Sequence, residues 1–235
     1  MGKRKPFVPL MVTYLLTVLG LLTAVQWGSR AVTVLAEQIP IERNICFVID
    51  PGHGGEDGGA ISCTGISESK LNLEISLRLN DLLNLLGYDT CLIRDSDISI
   101  HTKGETIAQK KASDLKERVR IVNETENAVL LSIHQNQFPD SRYSGPQVFF
   151  HNSEDSISLA TQMQTALTES LAPDSRRQIK PAKGIYLMEH IQKPGILIEC
   201  GFLSNPAEED RLRDAEYQKK LCAVIATAVI AYANT

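Results

Sequence analysis

The sequence predicts a single three-layer α/β domain, a mostly parallel twisted sheet with helices on both faces, preceded by an N-terminal hydrophobic helix. Three observations lead there. Short, almost wholly apolar runs, among them ICFVID (45–50), AVLLSIH (128–134) and GILIEC (195–200), are separated by stretches of helical periodicity, the pattern of buried parallel strands alternating with helices. The 235 residues are 43% hydrophobic and 22% charged, which fits one globular domain with a modest extension and excludes disordered, collagen-like and coiled-coil chains. The extension lies at the front, where no side chain from Phe7 to Ser29 is charged.

That front segment contains 21 apolar or uncharged residues, Phe7 to Trp27, enough as a helix to span roughly 30 Å of hydrocarbon. Two readings fit residues 1–36: a signal anchor, or a signal peptide cut after the small-residue site Val34-Leu35-Ala36. In either case Lys3, Arg4 and Lys5 outweigh Arg30, so the body is expected outside the cytoplasm. Residues 37–44 read as a linker and 45–235 as the folded domain. All four basic residues before Glu37 lie in a stretch without acids, so the body is more acidic than the overall net charge of -4 and nucleic acid is not an expected partner. The five cysteines, Cys46, Cys63, Cys91, Cys200 and Cys222, are odd in number and show no tight pairing, which argues against a disulfide framework.

Within the body, Ile45–Asp50 reads as a strand ending at a Pro-Gly turn. Leu71–Leu86 alternates in part like a strand. Its length, the stripe Leu71, Ile75, Leu79, Leu82, Leu86 and the following Gly87 decide for a helix. Tyr88–Ile93 reads as strand and 94–112 as a long surface loop, after which Asp114 is expected to cap a helix carrying Leu115, Val119 and Val122. Ala128–His134, Gln147–Phe150, Ile185–Met188 and Gly195–Cys200 read as further strands, Ser156–Leu171 and Ala215–Ala233 as helices.

In such sheets chemistry gathers beyond the carboxyl ends of the strands. Three apolar runs lead into DPGHGGEDGGA (50–60), SIHQN (132–136) and IECGFLSN (198–205), which brings His53, His134 and Glu199 toward one edge. A catalytic zinc site wants three protein ligands with a position left open for water, plus a separate carboxylate for proton transfer; beyond the two imidazoles and Glu199 one more ligand is needed, and Glu68, on the loop just before the Leu71–Leu86 helix, is the best candidate. As a nucleotide loop the first motif is weak, because Asp57 occupies the last glycine position counted from Gly52. Glu56 and Asp57 lie close enough to tune a metal. His101, His151 and His190 have no metal spacing, Arg94 and Arg118 read as structural ion pairs or caps, and Arg176, Arg177, Lys180 and Lys183 form a basic loop that is either solvated or meets substrate carboxylates.

These motifs, with Glu68 followed by Asn72-Leu73 and the helix Leu115…Arg118…Asn123, resemble the zinc-dependent N-acetylmuramoyl-L-alanine amidases of bacterial cell walls, the amidase-3 family, over essentially the whole body. Through Gly184–Pro206 the chain is most similar to the family's germination-specific branch in endospore formers. Ser69 and Gln135 depart from the family pattern without touching a proposed ligand. The resemblance implies zinc on His53, Glu68 and His134, Glu199 as the catalytic residue, and hydrolysis of the bond between N-acetylmuramic acid and L-alanine in peptidoglycan. It further implies action in the forespore intermembrane space or cortex, as a step toward muramic δ-lactam, with an accessory protein left open. A zinc-dependent peptidoglycan peptidase or deacetylase and a non-enzymatic, membrane-tethered wall-binding protein are the competing readings. The absence of H-E-x-x-H weighs against the commonest zinc proteases.

Overall fold

The computed structural model describes residues 45–235, so the N-terminal hydrophobic segment and the linker lie outside the described residues. The elements in chain order are β1 (Cys46–Pro51), α1 (Glu68–Leu85), β2 (Asp89–Leu92), α2 (Ile107–Glu124), β3 (Ala128–Asn136), β4 (Gln147–Phe150), α3 (Glu154–Leu171), β5 (Lys180–Pro181), α4 (Tyr186–His190), β6 (Gly195–Phe202), α5 (Pro206–Arg213) and α6 (Ala215–Ala233). The six strands form one sheet of order β2-β1-β3-β6-β4-β5, in which every pairing is parallel except that of β4 with β6. The expected mixed α/β fold is thus present among the described residues.

Alternation along the strands divides the core. Phe47, Ile49, Val129, Leu131, Ile133, Ile196 and Ile198 face α1, α3, α5 and α6, whose stripes supply Leu71, Ile75, Leu79, Leu159, Met163, Leu212, Leu221 and Ile225. Val48, Leu130 and Leu197 face the opposite way, onto Val122 of α2 and Leu187 and Met188 of α4. Burying both faces is why these strands read as continuous apolar runs.

Three local expectations are corrected. Thr106 caps α2, accepting a hydrogen bond from the Gln109 amide while Gln109 reaches back to the cap, so the helix starts within the stretch read as loop. Asp114 sits inside α2, buried and bonded to Arg118. Residues 185–188 belong mainly to the short helix α4, because Gly184, at φ 76°, turns the chain out of the sheet and Leu187 and Met188 fold together onto one apolar cluster. The sequence reading also missed β5 and α5; the latter is marked by Asn205 as cap and Pro206 in the first turn.

Among the described residues the five cysteines are unpaired, and Cys200 and Cys222 are buried as small hydrophobes. No described helix is long and apolar enough to cross a membrane.

Candidate active site

The carboxyl ends of β1, β3 and β6 lie side by side, with Ser132 opposite Asp50 and His134 opposite Glu199. His53 follows β1, and Glu68 opens α1, whose start returns to the loop: the Glu68 amide donates to Ala60 O at 2.8 Å and the Ser69 amide to Gly58 O at 3.1 Å. Ligand atoms of His53, Glu68 and His134 come within 4.8 Å of one another. His53 Nε2 is 3.2 Å from Glu68 Oε2, and His134 Nδ1 is 2.8 Å from Glu68 Oε1. The three residues named from sequence as metal ligands are therefore brought together, and Glu199 shares with His53 and His134 the lining of a cleft of about 210 Å³.

The surrounding groups hold these side chains in place. His53 Nδ1 meets Asp57 Oδ2 at 3.0 Å, and Lys111 Nζ meets the same oxygen at 2.9 Å, so a carboxylate fixes the ring through the nitrogen that faces away from Glu68. Glu68 accepts from the backbone amides of Ala60 and Gln135 and from Asn72 Nδ2. Gln135, expected from the sequence to leave the proposed ligands untouched, does touch one through its backbone amide, and its side chain donates to Asn72 Oδ1 at 3.3 Å and so extends this network. Two glycines make the approach fit: a Cβ on Gly52 would lie 2.2 Å from His134 Nε2, and one on Gly59, at φ 68°, 2.6 Å from Glu68 Oε2.

Beneath the site lie two buried arginines. Arg118, 2% exposed, pairs with Asp50 and Asp114 and donates to the carbonyl oxygens of Pro51 and His53. Arg94 donates to the carbonyls of Pro51, Gly52, Ser69 and Ser96. His53 occupies the left-handed region at φ 61°, strained for a residue with a side chain, and the Arg118 bond at 2.7 Å holds its carbonyl there. The sequence reading took Arg94 and Arg118 as ion pairs or caps, which is right for Arg118. Its motifs carried no sign that both residues would grip this loop.

The electrostatics separate the carboxylates. Burial opposes ionisation of Glu68, but His134 and His53 outweigh it and hold its pKa far below the usual range. His53 is likewise disfavoured by burial as a cation, yet bonds and charge from Glu68, then Asp57, raise its pKa. Glu199 differs. Burial, aided by the charge of Glu68, pushes its pKa up to about 7, and its buried Oε2 has no hydrogen-bond partner. A buried carboxylate oxygen without a donor is costly unless a cation or a proton satisfies it. Together with two imidazoles and an ionised carboxylate, this orphaned oxygen makes the site fit a divalent metal of zinc type and a proton carrier beside it.

The remaining candidates lie outside this cluster. His101 Nδ1 bonds the Ser99 hydroxyl, His151 Nδ1 the Met188 carbonyl, and His190 stacks on Tyr186. A larger groove of about 610 Å³ opens where β4 ends and α4 begins, lined by Phe150, Met188 and Glu189, and holds none of the convergent residues.

Residues 47–231 match the N-acetylmuramoyl-L-alanine amidase family. The chain is 36% identical to the germination-specific N-acetylmuramoyl-L-alanine amidase of Bacillus subtilis, over 83% of this chain and 81% of that protein. Among solved structures it is similar to the CwlD amidase of Clostridioides difficile in complex with the GerS lipoprotein, at 35% identity and TM-score 0.77 over 80% of this chain and 98% of that one. It is also similar to an N-acetylmuramoyl-L-alanine amidase from Clostridium difficile 630, at 29% identity and TM-score 0.72 over 83% of this chain and 99% of that one.

Proposed function

The chain belongs to the N-acetylmuramoyl-L-alanine amidase family and is a peptidoglycan amidase, and from that premise we propose that it is a zinc enzyme of the spore cortex. The observation that carries the zinc reading is the convergence of His53, Glu68 and His134 within 4.8 Å, with the orphaned oxygen of Glu199 in the cleft that His53 and His134 line. In this reading His53 Nε2, His134 Nδ1 and Glu68 hold zinc, and Asp57 orients His53. Zinc so held supplies Lewis acidity, which polarises the amide carbonyl and makes water a nucleophile near neutral pH.

The chain's own residues do the rest. Glu199, with a pKa near 7, takes a proton from the attacking water and delivers it to the nitrogen of L-alanine, because an amide nitrogen leaves readily only as an amine. The products are the lactyl carboxylate of muramic acid and a peptide with a free L-alanine amino group. Arg118 and Arg94 keep the His53 loop in place while this proton moves.

Mass spectrometry of digested wall tests the reading. Peptides beginning at L-alanine and glycan strands with free lactyl groups support it; deacetylated sugars or severed cross-links favour the deacetylase or peptidase alternative, and an unaltered wall favours a non-enzymatic wall binder. The cortex assignment rests on similarity to the B. subtilis germination-specific enzyme, and loss of muramic δ-lactam from spores lacking this protein is its expected signature. In keeping with that setting, residues 1–36 serve as signal anchor or signal peptide, 37–44 as linker and 45–235 as catalytic domain, acting outside the cytoplasm either anchored to the membrane or secreted. The C. difficile neighbour's complex with a lipoprotein supports an accessory protein for this domain as well.

A further inference from the structure

Arg177 stands at the same edge of the sheet, one strand from Glu199. Gln147 of β4 is the direct partner of Glu199 across the β4–β6 ladder, and Arg177 Nη1 donates to Gln147 Oε1 at 2.8 Å. Arg177 Nε donates to Ser144 O at 2.8 Å, and the guanidinium lies 4.5 Å above the ring of Phe202, the last residue of β6. Gln147 is itself held by its bond to Gln178 O. A planar, forked cation is thus fixed at three points and half-buried.

Its partners are an amide oxygen, a backbone carbonyl and a ring. Among the described residues no carboxylate lies within ion-pairing distance of Arg177. The nearby Glu208 is committed elsewhere, accepting from the amides of Gly145 and Phe202 and from Arg211. Desolvation lowers the Arg177 pKa by more than the charges of Glu208 and Glu199, neither within ion-pairing distance, raise it, so the cost of holding the charge here is only partly offset. An immobilised guanidinium without a counter-ion beside a catalytic edge has the chemistry of a carboxylate reader. Phe138 and Tyr143, which meet edge to face at 4.6 Å and are each 46% exposed, continue from Phe202 as an aromatic cluster along the same rim, apolar surface beside the guanidinium against which a peptide can pack.

We propose that Arg177, clamped between Phe202 and Gln147, is a specificity residue that binds a free carboxylate on the peptide side of the scissile amide. The assignment rests on the amidase reading above. It makes the enzyme distinguish acidic stem peptides from those whose carboxylate is amidated, since Gln147 and Ser144 hold the fork and leave Nη2 for the substrate. A charge-assisted bond of this kind is worth about tenfold in kcat/KM or more.

The test uses the zinc-loaded protein and two soluble substrates whose γ-carboxyl is blocked, the γ-methylamides of N-acetylmuramoyl-L-alanyl-D-glutamate and of its α-amide N-acetylmuramoyl-L-alanyl-D-isoglutamine, which differ only in the free α-carboxylate. The wild type is expected to favour the carboxylate by about tenfold in kcat/KM. R177Q brings the ratio close to one, R177K, with its charge but no fork, gives an intermediate ratio, and R176Q, at an exposed neighbouring position, keeps the wild-type ratio. Because a ratio within one variant cancels any loss of folded protein, partial unfolding of R177Q does not mimic the result. Equal wild-type rates on both substrates, or an R177Q ratio like that of the wild type, overturn the inference while the amidase reading stands. Cleavage of neither substrate contradicts both.

Discussion

At the residue scale the site depends on what is small as much as on what is reactive. The His134 ring passes so close to the Gly52 backbone that even a methyl group cannot be placed between them. Gly52→Ala must displace the imidazole from its present position against Glu68 and is expected to weaken metal binding by one to two orders of magnitude, as other disturbances around ligands do. Metal titration with a chromophoric chelator measures it, and unchanged affinity would show that His134 has freedom the packing denies. The clustering of His53 and His134 was legible in the sequence because their motifs follow strand ends, where fold class alone places chemistry, and that of Glu68 because it opens the helix packed back on that edge. Arg177 was legible only as one of four basic residues in a loop. Its stacking on Phe202 and its bond to Gln147 depend on the antiparallel pairing of β4 with β6, which no local pattern announces.

At the element scale α2 does more than cover the sheet. Through Arg118 it ties β1, via Asp50 and the Pro51 carbonyl, to the loop that carries His53. Arg118→Met leaves Asp50 and Asp114 buried without their cation, a loss of about 3–5 kcal/mol, and frees the strained His53 carbonyl. Denaturant unfolding should show that loss. In an Arg118→Met/Asp50→Asn double variant it should be smaller than the sum of the two single losses, because one buried pair is being counted twice. Fully additive losses would mean that the pair is not coupled. The beginning of α2 was misread for a related reason. Asp114 is the kind of residue that caps helices, but here its carboxylate serves Arg118 and the Ile100 amide, and Thr106 takes the cap. The strand reading of 185–188 failed because four apolar-looking residues fit a strand or one helical turn equally well, and burial against α2 chose the turn.

At the scale of the whole molecule, stability and metal should respond to pH in opposite directions. Once a chelator has stripped the metal, His53, with its raised pKa, stabilises the fold below about pH 6.5, and that contribution is lost as pH rises through its folded-state value. Glu199, raised to about 7, stabilises the fold at pH values below the ordinary glutamate range, and this contribution is lost as pH climbs to neutrality. The melting temperature of the stripped protein should therefore fall between pH 5.5 and 8. Zinc binding strengthens over the same interval as its ligands shed protons, so the gap between loaded and stripped melting curves should widen. On the acid side Asp50, whose burial is outweighed by Arg118 and Ser132, keeps a lowered pKa, and its contribution disappears only below about pH 4. A stripped protein that grows more stable toward pH 8 would contradict the charge states assigned to the site.

The central claim is that three residues hold the metal while a fourth moves the proton. Measuring zinc content and amide-bond turnover together in Glu199→Gln and His134→Ala tests it most directly. Glu199→Gln should keep one zinc per chain and lose turnover by about 10²–10⁴-fold, whereas His134→Ala should lose the zinc itself. A Glu199→Gln protein that cleaves the wall at the wild-type rate, or a His134→Ala protein that holds zinc as tightly as the wild type, would contradict the account.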